Sequence, residues 1–137
     1  MEGANKSVFV DIGDFILSNS MSVGRPYILK IKGCIHDGWL VFKNIKDDLI
    51  DRNYLYYILK SNKLNSIINN KANGAIVKNL KIEIVENLKI QIPPLDKQQK
   101  IIKQIEKIEN EINILENEIK SLDKEKENIL NKYLNKK

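Results

Sequence analysis

Cysteine and histidine occur once each, as Cys34 and His36. A single thiol closes no intramolecular disulfide, which fits a reducing compartment. Cys34, His36 and nearby Asp37 supply too few ligands for a structural zinc site, so no metal is expected. No run of about 20 apolar residues is present, so no segment is expected to span a membrane. Asp11 and Asp14 interrupt the early apolar residues, which argues against a signal peptide and for a cytoplasmic protein. No Gly-rich loop of the Walker type occurs. His36 beside Asp37 is the one pair suggestive of acid–base chemistry; with no nucleophile or orienting group in evidence it reads as a surface pair, and no catalytic residue is expected.

The 137 residues allow a small domain plus one long helix. Apolar residues at 42% are too many for a disordered chain. The net charge of +5 is unevenly placed: residues 1–95 hold 13 Lys/Arg against 9 Asp/Glu, and residues 96–137 hold 10 against 9. That excess permits phosphate contacts without requiring them.

The sharpest joint is Ile92-Pro93-Pro94-Leu95, where two prolines stop a helix from extending backward. It separates an expected domain at 1–95 from an expected helix at 96–137. Before it the pattern is mixed. Ser7–Val10 is β-prone, Asp11–Asp14 a turn, and Phe15–Ser18 a strand, followed by a polar loop at 18–26. Tyr27–Ile31 is expected as a strand, Lys32-Gly33 as a turn, 34–37 as a small loop and Gly38–Phe42 as a strand. A helix is expected from near Asp51, through Leu55, Ile58 and Leu59, with Tyr54 and Tyr57 on its apolar face. A second is expected over Lys63–Asn70, then a loop through Asn73-Gly74. Ile82–Ile84 fits a strand or a turn, and the alternation in Leu88–Ile92 fits a half-buried strand. Trp39 is expected in the core, and Tyr54, Tyr56 and Tyr57 as core and boundary residues.

After the prolines, Asp96 is expected to cap a long helix. Ile101, Ile105, Ile108, Ile112, Leu115, Ile119, Leu122 and Ile129 fall on one heptad seam that continues to Tyr133, with Lys126 breaking the apolar run. From Ile101 to Tyr133 such a helix is about 48 Å long. Burial of an apolar stripe supplies most helical stability, so the helix is expected to pair with another, a second copy being the simplest partner; the pattern leaves parallel and antiparallel pairing open.

The joint, with Asp96-Lys97-Gln98-Gln99-Lys100-Ile101-Ile102 after it, resembles the end of a target-recognition domain in DNA-specificity (S) subunits of type I restriction-modification systems. Three upstream segments resemble the same family: Asp11–Ser18 its Gly-Asp-apolar segment, Asn53–Ser61 its Tyr-Leu-x-Tyr helix, and Asn73–Leu80 its Gly-small-apolar loop. Lys97 stands where family members more often carry Glu. Order and spacing agree over residues 11–134.

The resemblance implies an α+β fold: a small mixed α/β part facing DNA and a long coiled-coil helix for dimerisation and subunit docking. It corresponds to the second part of one recognition domain and one helix, a half-length form. The implied role is non-catalytic reading of a double-stranded DNA half-site, with no cofactor of the chain's own. The implied partners are methyltransferase (M) subunits and, through them, restriction (R) subunits. The Asn-Pro-Pro-aromatic motif of amino-methyltransferases is absent, so the chain is not expected to be an M subunit. Expected DNA contacts are Asn19 and Arg25 in the polar loop, Lys71, Asn73 and Lys78 around Gly74, and Lys30, Lys32 and Lys43 as added positive field. An alternative is a truncated S-like protein that pairs with S or M subunits through its helix without reading DNA.

Overall fold

The computed structural model describes residues 7–72 and 80–136. The chain divides into two compact units, Met1–Gln99 and Lys100–Lys137.

In the first unit, β2 (Phe15–Ser18) is the central strand of an antiparallel sheet, between β3 (Pro26–Ile28) and β5 (Trp39–Phe42). All four β2 residues are buried: Phe15, Ile16 and Leu17 form the apolar run that a strand covered on both faces requires, and the Ser18 hydroxyl is satisfied by Ser22 O and the Arg25 amide. Ile16 pairs with Tyr27 on one side and Val41 on the other, and the Phe15 ring meets Phe42 edge-on at 5.2 Å. A second ladder joins β1 (Val8–Val10) to β4 (Gly33–Ile35), with Phe9 opposite Cys34.

The expected strand at 27–31 is shorter than predicted and starts one residue earlier. After Leu29 donates to Asp14 O, the chain leaves this sheet. The turn at 32–33 and loop at 34–37 give way to β4, a strand made by pairing with β1 rather than by its own pattern.

Helix α1 (Arg52–Lys60) begins at Asp51, whose carboxylate accepts from the Asn53 and Tyr54 amides. It packs on β3 and on α2 (Asn62–Ala72). Helix α2 outruns its expected end at Asn70. Leu64, Ile68 and Ala72 lie four residues apart and all are buried, so packing overrides the turn chemistry of Asn69-Asn70. Gly24 (φ +81°) lies under Ile68, where a Cβ would come within 2.9 Å of Ile68 Cγ2.

Residues Ile82–Glu86 form the short helix α3, not a strand. Among the described residues, Leu88–Ile92 joins no ladder. Side chains serve its backbone and that of the next residue: Tyr54 Oη donates to Gln91 O and Gln98 Nε2 to Pro93 O.

Helix α4 spans Leu95–Leu134, 40 residues, or about 60 Å. It starts one residue before the expected cap. Pro94 O accepts from the Lys97 and Gln98 amides, and Asp96 lies in the first turn, where its charge favours the helix dipole. Among the described residues, no helix is long and apolar enough to cross a membrane.

Candidate nucleic-acid interface

In the first unit, Lys32, Lys43 and Arg52 are tied to carboxylates. Lys32 lies 3.5 Å from Asp11, and Lys43 lies 3.1 Å from Asp14. Arg52 grips Asp47 with Nε and Nη2 at 2.8 and 3.0 Å and donates from Nη1 to Gly13 O. The Asp11 amide and then Lys43 hold the Asp14 carboxyl below its ordinary value; Arg52 does the same for Asp47, and Asp47 raises Arg52 in turn. Each pair balances its own charge, so Lys32 and Lys43 add less positive field than their number suggests.

Strand β3 and helix α1 form a different surface. Two adjoining depressions of about 300 and 360 Å³ share Tyr27 and Tyr56 as walls. Arg25, Lys60 and Asn65 line the first, and Lys30, Asn53 and Tyr57 the second. Among the described residues, no carboxylate lines either one. Tyr27 lies edge-on to half-buried Trp39 at 5.5 Å, and Tyr56 edge-on to Tyr57 at 5.4 Å. The Lys60 ammonium sits 5.4 Å from the Tyr56 ring centre, a cation–π distance. Arg25 and Lys30 are exposed, and among the described residues neither forms an ion pair. Cations beside ring faces and side-chain amides suit phosphates and bases.

Of the eight residues expected to touch DNA, the fold thus brings Arg25 and Lys30 to one face. Lys32 and Lys43 belong to the ion pairs. Asn19 is bound into the scaffold: its side-chain amide donates to Asp37 O, its N–H to Gly38 O, and its carbonyl accepts from Leu80. Lys71 is exposed in the last turn of α2. Asn73 and Lys78 lie outside the described residues. The sequence reading missed Tyr27, Asn53, Tyr56, Lys60 and Asn65 as a set. Positions 53, 56 and 60 recur at helical spacing, which was the available signal. Tyr54 is buried and Tyr56 and Tyr57 half-buried, in keeping with core and boundary places.

The family model for the type I restriction modification DNA specificity domain matches residues 2–124. The chain belongs to that family. No curated protein matches it. As a type I specificity domain, the chain has a role in DNA sequence specificity, and its family is one that partners DNA and methyltransferase subunits. Among the described residues, no group of three or more His, Cys, Asp or Glu is placed to hold a metal ion.

Proposed function

We propose that this chain reads one DNA half-site without catalysing a reaction, and that it docks methyltransferase subunits and, through them, restriction subunits. The observation that supports it most is the face of Arg25, Tyr27, Lys30, Tyr56 and Lys60, where cations stand beside aromatic rings, in a chain of the specificity family. Arg25 has the forked donor geometry that suits a guanine edge or a phosphate, and the lysines supply point charges. Helix α4 contributes an apolar seam for pairing with a second helix.

The test is a mobility-shift titration of double-stranded DNA with the chain and methyltransferase subunits at low salt. Retarded DNA that is released as salt rises supports the reading; no association at low salt overturns it. Under a second reading, the chain pairs with S or M subunits and leaves DNA reading to them. It is favoured by the exposure of Ile108, Ile112, Leu115, Ile119, Leu122 and Ile129 along α4. Full DNA specificity of the assembly with an R25A/K30A/K60A chain would support this second reading.

A further inference from the structure

We infer that the partner of the α4 seam is a helix of different sequence whose flanks carry Lys or Arg, and not a second copy of α4. The seam alone suits either partner; the charges beside it do not.

In the heptad frame set by the seam, Ile105, Ile112, Ile119 and Lys126 occupy a positions, and Ile108, Leu115, Leu122 and Ile129 occupy d positions. The flanking g positions then hold Gln104, Glu111, Glu118, Glu125 and Lys132. The flanking e positions hold Ile102, Glu109, Glu116, Asp123 and Leu130. From 105 to 129 every flank is a carboxylate, while Lys103, Lys107, Lys120 and Lys124 fall on the outer positions b, c and f. Asp123 lies 3.0 Å from Lys126 on its own helix, and both side chains remain more than 60% exposed.

A parallel, in-register pair of α4 helices sets Glu111 against Glu116 and Glu118 against Asp123, twice each by symmetry, and Lys126 against its own copy. An antiparallel pair sets g against g and e against e, again acid on acid. Like charges at these positions oppose pairing and opposite charges favour it. A basic-flanked helix turns each repulsion into attraction and leaves the apolar contact unchanged. Over four or more facing pairs, that preference amounts to about a hundredfold in Kd at low salt, and it shrinks as salt screens it. The homodimer expected from the seam is therefore the weaker of the two assemblies. DNA contact plays no part in this choice, so its test and the mobility-shift titration fail separately.

The probe is the full chain carrying Glu111→Lys, Glu116→Lys, Glu118→Lys and Asp123→Lys. All four positions are exposed, and far-UV circular dichroism checks that the helix persists. Sedimentation equilibrium at neutral pH and low salt should show a one-to-one complex of native and substituted chains. That complex should be about a hundredfold tighter than either chain with itself, and the margin should narrow at high salt. Adding Ile108→Asn and Leu115→Asn to one chain should abolish it. A native self-complex as tight as the mixed one overturns the charge argument. A mixed complex that survives the Asn substitutions, or no mixed complex at all, overturns the seam.

Discussion

Gln98 is fully buried, and its side-chain amide uses both ends. Oε1 accepts from the Asp51 amide at 2.8 Å; Nε2 donates to Leu49 O at 2.8 Å and Pro93 O at 2.7 Å. None of these three backbone groups has a helical or ladder partner, because Leu49 and Asp51 precede α1 and Pro93 precedes α4. Replacing Gln98 with Leu keeps the volume roughly constant and strands one N–H and two carbonyls. Each net hydrogen bond contributes about 0.5–1.5 kcal/mol, and a stranded buried group costs about 1–3 kcal/mol. Some of the three will recover water, so a total of about 3 kcal/mol is expected, a large part of a typical domain's stability. With a urea slope of about 1.5 kcal/mol/M, the midpoint should fall by about 2 M. Trp39, the only tryptophan, lies in the first unit and reports its unfolding by fluorescence. Gln98→Glu should cost more, since a carboxylate would face two carbonyl oxygens. A Leu variant within about 0.5 kcal/mol of the native chain would refute the claim that these bonds hold the joint.

Gly24→Ala should destabilise the first unit by about 3 kcal/mol, combining a side chain at positive φ with a clash against buried Ile68; equal melting temperatures would contradict the close approach. Acid should weaken the same unit. Asp14 and Asp47 have depressed carboxyl pKa values when folded, so their contribution is complete above the ordinary value of 3.8 and is lost as pH falls below it. Denaturant midpoints measured from pH 6 to pH 2 should decline mainly at the acid end, and a D14N/D47N chain should decline less.

The sequence made some of this legible and hid the rest for physical reasons. Phe15–Ser18, Gly38–Phe42 and the Asp51 helix start carry local signals strong enough to act alone: apolar runs between turns, and a carboxylate at a cap. The diproline joint was visible too, and the structure supplies a reason for the Gln-Gln that follows it, since Gln98 closes three loop hydrogen bonds. Strand β4 was not visible, because Gly33-Cys34-Ile35 has no alternation and exists through β1. The end of α2 was misread because Asn69 looks like a turn residue, whereas its side chain bonds back to Asn65 O and Oδ1 within the helix. Leu88–Ile92 has the alternation of a strand, yet among the described residues it pairs with no other strand. The basic residues were legible as a total and not as an arrangement, since pairing and facing depend on contacts across Lys43–Asp14 and β3–α1.

That arrangement changes what DNA binding should look like. With Lys32 and Lys43 engaged by Asp11 and Asp14, the β3–α1 face offers phosphate two exposed cations that form no ion pair among the described residues, Arg25 and Lys30. Two contacts give a log–log salt slope near −1.8, so affinity should fall about 12-fold between 50 and 200 mM salt. A protein using six to ten contacts would lose about 10³–10⁵ over the same range. The chain alone should therefore bind DNA weakly, and an R25A/K30A variant should flatten the slope by about 1.8. A slope steeper than about −6 for the chain alone would mean that lysines outside this face carry the contact. A slope unchanged in the double variant would mean that the β3–α1 face does not meet phosphate. A shallow slope for the chain alone that steepens when methyltransferase subunits join would place the remaining phosphate contacts on those subunits. The specificity chain would then choose the site while its partners supply much of the grip.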